Sequence, residues 1–242
     1  MKIKPILLAL LLAAALTGCS KHPKPRHIVI LIDVSGSIER TSLDQAFKAI
    51  EDLAGHLQRG DGISIIPILG DAEAQASGQI IRFEVPARRQ AYDSDLSMFR
   101  EKLKRGLTTM RQTASAHPGS KTDILGSMEL AQQEFHGVPG QSRQMLFVLS
   151  DFIQEDRDLD FRTDQRMAST LTARDFAKHI TTTASSEFTK VEVFLGLLRS
   201  KEYVTLSRKR RAAIRGFWLQ YFSSCDVQPV YEIDGPTSLE RM

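Results

Sequence analysis

Cysteine is nearly absent from this chain, with only Cys19 and Cys225 among 242 residues. Two cysteines so placed build no disulfide framework, and Cys225, following a run of aromatics, reads as a small buried hydrophobe. The longest apolar run, Ile6 to Leu16, falls short of the roughly 20 residues that a membrane-spanning helix needs. The six histidines show no metal-ligand spacing, and His22 and His27 flank a polar stretch. That argues against a zinc site built on imidazole. A Gly-rich dinucleotide fingerprint is missing after the first apolar run, as is a P-loop lysine. Spacing suggests no Ser-His-Asp or Cys-His set either. Charge of one sign is also lacking. Without Lys2 and Lys4 the chain carries 30 basic against 29 acidic side chains, so nothing marks it as a nucleic-acid binder.

What is present begins with a leader. Lys2 and Lys4 precede the apolar core, and Leu16-Thr17-Gly18-Cys19 follows it. A basic start, a short apolar core and small residues before a break make a secretory signal. The last four residues resemble a bacterial lipobox, which implies cleavage before Cys19 and lipid on its sulfur. We therefore expect residues 1–18 to be a lipoprotein signal peptide and 19–27 a lipidated cysteine with its tether. One folded domain is expected over 28–234 and a tail over 235–242. Ser20 after Cys19 resembles the sorting pattern for the outer membrane, which places the chain on the periplasmic face, at the outer membrane ahead of the inner. Nothing in the sequence fixes the oligomeric state.

The five consecutive apolar residues Ile28 to Ile32 read as a strand buried on both faces. Ser42-Leu43-Asp44-Gln45 fits a capping box, and Leu43, Ala46, Ile50, Leu53 and Leu57 follow helical spacing. Ile63 to Leu69 is a second strand, with Pro67 expected at a bulge or near its end. Gln79 to Val85 is a third. The connection between these two is too short for a parallel crossover, so the third strand should run antiparallel at the sheet's edge. Leu96, Phe99, Leu103, Leu107 and Met110 mark another helix, and Ile124, Met128, Ala131 and Phe135 the next. Met145 to Leu149, Val191 to Leu198 and Val227 to Ile233 are further strands. Between them lie a short helix over 167–180 and a last helix from near Leu206. This alternation predicts an α/β fold: a doubly wound, mostly parallel six-stranded sheet with one antiparallel edge strand and helices on both faces.

Chemistry gathers where the strands end. Asp33 closes the first strand, Ser35 and Ser37 follow around Gly36, Thr122 opens a helix, and Asp151 closes the strand after it. In an open α/β sheet such loops converge on one crevice. Two carboxylates and three hydroxyls without His or Cys suit a hard cation, Mg²⁺ ahead of Mn²⁺ or Ca²⁺. The order Asp-x-Ser-x-Ser, then Thr, then Asp resembles the metal-ion-dependent adhesion site of von Willebrand factor A domains. The resemblance covers roughly residues 28–234 and maps the metal ligands onto Asp33, Ser35, Ser37, Thr122 and Asp151. It implies a fold in which hydroxyls touch the metal directly and a partner protein's Glu or Asp completes the shell. Two features depart from the family pattern: Phe152 stands where Gly is usual, and an acidic segment follows. Its Glu155, Asp156, Asp158 and Asp160 are candidate partner contacts on the crevice rim, set against a plain solvated loop.

The expected function is thus a non-enzymatic, membrane-anchored module for metal-dependent protein binding on the bacterial envelope. The partner is an unidentified protein that supplies an acidic residue, and the anchor is lipid in a bacterial membrane. A metal-dependent hydrolase or phosphatase is the alternative, weakened because Ser35 stands where an aspartyl phosphatase needs its acid-base carboxylate. A structural envelope protein indifferent to metal is the third reading.

Overall fold

The computed structural model describes residues 24–72, 79–86, 92–116, 121–183, 188–227 and 229–233. The expected leader, Cys19 and the tail lie outside the described residues.

Strand β1 (Arg26–Asp33) is the centre of the sheet. Its Ile28, Val29, Ile30, Leu31 and Ile32 have no exposed surface. Burying five such side chains contributes on the order of 10 kcal/mol, an upper estimate. A strand can be apolar on both faces only with strands on either side and helices above and below. Here β2 (Gly62–Ile68) and β4 (Arg143–Ser150) both pair with it in parallel. The full order is β3-β2-β1-β4-β5-β6, with β3 (Ile81–Glu84) antiparallel and β5 (Val191–Leu197) and β6 (Val230–Ile233) parallel. The expected antiparallel edge strand and six-stranded sheet are both found. Pro67 lies past Ile65, the last residue of β2 that pairs with β3, where a missing donor costs little.

The helices are α1 (Arg40–Gly55), α2 (Tyr92–Ala116), α3 (Ile124–Phe135), α4 (Thr170–Thr183), α5 (Lys201–Thr205) and α6 (Arg208–Ser224), with a 3-10 turn over Gln165–Ala168. Helix α1 packs beside α2, α4 packs extensively on α6, and α3 lies against β1 and β2. Trp218 of α6 is buried, and its indole N–H donates to the Phe152 carbonyl at 2.9 Å. Cys225 is buried. Among the described residues no helix is long and apolar enough to cross a membrane.

Two local expectations are corrected. Helix α1 starts at Arg40, so Ser42 lies inside it and caps nothing. Its hydroxyl instead accepts the Arg199 N–H at 3.0 Å, a bond between residues far apart in sequence. Helix α3 is capped by Asp123, whose carboxylate accepts the Gly126 N–H at 2.9 Å. Thr122 is therefore not a capping residue.

Candidate metal centre

Four loops at the C-terminal ends of the strands build the site, stitched together in pairs. The loop after β1 is tied to the loop after β5: Ile38 bridges Ser200, and the Glu39 N–H donates to the Arg199 carbonyl at 2.8 Å. The segment before α3 is tied to the loop after β4. Thr122 and Glu155 exchange backbone hydrogen bonds at 2.9 and 2.8 Å. Buried Gln154 reinforces this seam, its Oε1 accepting the Ile124 and Leu125 N–H groups at 2.8 and 3.0 Å. Those are otherwise orphaned donors of the first helical turn.

Each aspartate shapes its own loop. Asp33 Oδ1 accepts the Ser35 N–H at 2.9 Å, and Asp151 Oδ1 accepts the Ile153 N–H at 2.9 Å. Both are side-chain turns of the kind short carboxylates form two residues on. Asp33 Oδ2 accepts the Ser150 hydroxyl at 2.7 Å, which ties the ends of β1 and β4 together. The Ser35 and Ser37 hydroxyl oxygens stand 3.0 Å apart. Ser37, Thr122 and Asp151 line one cleft of about 440 Å³, with Asp33 and Ser35 buried beside it. Three of the expected ligands thus share the cleft, and Ser35 reaches it through Ser37 while Asp33 is tied to Ser150 next to Asp151. Asp151 Oδ2 is buried and has no hydrogen-bond partner among the described residues.

Electrostatics follow from the burial. Loss of water raises the Asp33 carboxyl above its ordinary value, against its bonds to Ser35 and Ser150. Burial first, then the Asp33 charge, push Asp151 up to about 7, against the opposing pull of Ser200 and the Ile153 N–H. Two buried carboxylates, one of them with an orphaned oxygen, and three hydroxyls form a donor set that a hard dication fits. Among the described residues no group of three or more His, Cys, Asp or Glu side chains forms a metal cluster, so the hydroxyls are indispensable to any such site.

The acidic segment is less exposed as charge than its composition implies. Arg162 sits among three of its neighbours, 2.7 Å from Glu155, 2.9 Å from Asp160 and 2.7 Å from Glu202. Of the four rim candidates, Glu155 lines the cleft. Asp156 and Asp158 line a separate hollow with Lys121 and Asp123, and Asp160 is held by Arg162. Asp156 spends one oxygen on the Asp158 and Leu159 N–H groups at 2.7 and 2.9 Å.

Sequence reasoning missed Ser150, Gln154, Arg162 and Glu202. Ser150 was legible in part, since it immediately precedes Asp151 at the end of an apolar run. Glu202 had no signal, because α5 is a single short turn capped by Ser200.

The strand order β3-β2-β1-β4-β5-β6, with β3 antiparallel on an otherwise parallel sheet, decides the fold. The chain has a von Willebrand factor A/Rossmann-like α/β fold. No family model and no curated protein matches its sequence. Solved structures share its general architecture. BatB from Bacteroides thetaiotaomicron is similar at 16% identity and a TM-score of 0.48, covering 89% of this chain and 94% of that one. An aerotolerance-related membrane protein from Bacteroides fragilis is similar at 14% identity and a TM-score of 0.45, covering 89% and 95%. A von Willebrand factor type A protein from Catenulispora acidiphila is similar at 19% identity and a TM-score of 0.46, covering 90% of this chain and 41% of that one. Strand order and loop placement, rather than these distant likenesses, carry the fold assignment. Within the von Willebrand factor A fold this chain keeps one oddity: Phe152, directly after Asp151, adopts φ 65°.

Proposed function

We propose that this chain is a von Willebrand factor A module that binds a protein partner through a divalent cation, held on the bacterial envelope by lipid on Cys19. The observation that carries the metal reading is the buried, unpartnered Asp151 Oδ2 in a cleft shared with Ser37 and Thr122. Natural proteins seldom leave such an oxygen unsatisfied. Asp33, Ser35, Ser37, Thr122 and Asp151 would hold the ion. Once bound, it would supply an electrophilic contact for a partner's carboxylate. The chain's own residues organise that contact. Asp33 and Ser150 lock β1 to β4, Gln154 fixes the start of α3, and the Thr122–Glu155 pairing keeps the Thr122 loop beside Asp151. Glu39, Asp151, Glu155 and Glu202 outnumber Arg40, Arg162 and Lys201 around the same cleft, so selection of an acidic visitor rests on the ion itself.

The test is thermal melting in Mg²⁺, Mn²⁺ and EDTA. With a dissociation constant of ~0.1 mM, a 1 mM ion adds about 1.4 kcal/mol, or roughly 3–5 °C for a domain of this size. Asp151→Asn and the Ser35→Ala/Ser37→Ala pair should remove that increment. Partner retained from solubilised envelopes in Mg²⁺ should elute with EDTA. A melting curve indifferent to all three conditions would leave the structural reading in its place.

A further inference from the structure

The end of the sheet opposite the cleft also carries a hollow. The N-terminal ends of β1, β4 and β5 surround about 640 Å³ lined by Lys24, Arg26, Ser142, Arg143, Lys190 and Glu192. Two of its four cations are already matched. Arg26 closes on buried Asp61 at 2.6 Å, and Arg143 on Glu192 at 2.6 Å. Lys24 and Lys190 are exposed, and neither forms an ion pair among the described residues. They leave the hollow with two surplus positive charges. Lys190 is held there in the left-handed region, φ 70°, by the turn in which the Val191 N–H bonds the Phe188 carbonyl at 3.0 Å. A lysine in that conformation is strained.

The polypeptide enters beside this hollow and is pinned to it. The Pro25 carbonyl accepts the Arg143 N–H at 2.8 Å. The Arg26 N–H donates to Asp61 at 2.7 Å, and its guanidinium also reaches the His56 carbonyl at 2.8 Å. Cys19 stands five peptide steps before Lys24, so it is at most about 18 Å from it even when fully extended. Whatever holds Cys19 lies within reach of this face of the domain.

We propose that this hollow seats the domain against an anionic phospholipid surface, with Lys24 and Lys190 taking headgroup phosphates. This rests on the reading of Cys19 as the lipid anchor. Charge complementarity and the short, pinned tether select a bilayer over a soluble ligand. The two free donors are ammonium groups, which suit phosphates without demanding a fixed fork geometry. Each contributes roughly fivefold to partitioning, the equivalent of about 1 kcal/mol per basic residue at an anionic surface.

The experiment uses residues 19–242 with Cys19→Ser, which carries neither the apolar leader nor an acylation site, so that the hollow is read without the anchor. It is mixed with phosphatidylcholine vesicles, with or without about 30 mol% phosphatidylglycerol, and sedimented. The chain is expected to partition onto the phosphatidylglycerol vesicles only, and to be released by 0.5 M salt, as surface attraction of this kind is (about 4 Å Debye length). Lys24→Gln/Lys190→Gln should lower partitioning about 25-fold. The charge-matched pair Lys104→Gln/Lys178→Gln, away from the hollow, should not. Equal sedimentation with both vesicle types, an unaffected Lys24/Lys190 variant, or binding of inorganic phosphate without vesicle binding would each overturn the proposal. Intact mass of the unmutated chain extracted from membranes tests the anchor separately. An unacylated Cys19 with anionic vesicle binding intact refutes the anchor and leaves the hollow standing as a lipid-contact face.

Discussion

Glu134 shows how a single side chain joins elements that the chain order keeps apart. From α3 its carboxylate accepts the Ser64 hydroxyl of β2 at 2.6 Å and the Arg82 guanidinium of β3 at 2.6–2.9 Å. Burial by itself would raise this carboxyl, but the bonds to Arg82 and Ser64 outweigh it and hold it below the ordinary value of 4.5. A carboxyl depressed in the folded state contributes stability above its unfolded value and loses it as pH falls through the folded one. Glu134→Gln should therefore cost about 1 kcal/mol at pH 7, discounted for the half-exposed Arg82. Denaturant unfolding should show that difference shrinking as pH drops below about 4.5. A gap that is constant from pH 7 to pH 3 would mean the carboxylate charge contributes nothing. Phe152 poses a different problem at the same scale. Its left-handed φ costs on the order of 1–3 kcal/mol, and the Trp218 bond to its carbonyl together with its burial keeps it there. Phe152 occupies the place where the resembled family has Gly, and its positive φ accounts for that preference.

At the level of elements, Gln154 makes the sharpest demand. Its Oε1 caps two N–H groups of α3 while its amide nitrogen bonds Asp123 at 3.0 Å and Asp156 at 2.7 Å. Gln154→Leu keeps the volume but strands the Ile124 and Leu125 donors and frees two carboxylates. The expected cost is about 2–3 kcal/mol by denaturant unfolding. Hydrogen exchange should show loosening at residues 122–126 ahead of the strands. Uniform exchange, or a cost below about 0.5 kcal/mol, would refute the seam. The strands were legible because a parallel sheet buries both faces, so each strand reads as an unbroken apolar run. The antiparallel β3 was legible from loop length alone. Ser42 misled because its polar neighbours fit a cap, whereas a distant N–H from Arg199 claims its hydroxyl. Likewise α5 and the 3-10 turn carry too few apolar positions to show a period. They rest on Ser200 and Asp164 caps and on Arg162, contacts that exist only once the chain has folded. The grouping of Ser37, Thr122 and Asp151 at one cleft was legible because their order and strand-end placement survive in one dimension. The rim was not, since Arg162 had no visible claim on Glu155 and Asp160 until the loop closed.

Across the whole molecule, β1 works as a strut. It begins at Arg26, pinned to the tether's last residues, and ends at Asp33 beneath the cleft. Eight residues of strand separate the two ends by roughly 23–26 Å, well beyond the about 8 Å over which charges act at physiological salt. Among the described residues the ends also share no hydrogen-bond network: Arg26 pairs with Asp61 and His56, while Asp33 pairs with Ser35 and Ser150. Sites so separated should act additively within about 0.5 kcal/mol. If Cys19 is anchored, the cleft then faces away from the bilayer and stays open to a partner while the other end is seated. The expected outcome is a null coupling. Lys24→Gln/Lys190→Gln leaves the Mg²⁺ increment in melting temperature unchanged, and Ser35→Ala/Ser37→Ala leaves vesicle partitioning unchanged. The combined variant shows both losses at their separate sizes. A combined effect that departs from the sum by more than about 1 kcal/mol would show that β1 transmits strain between its ends, and that seating the domain on lipid tunes the cleft.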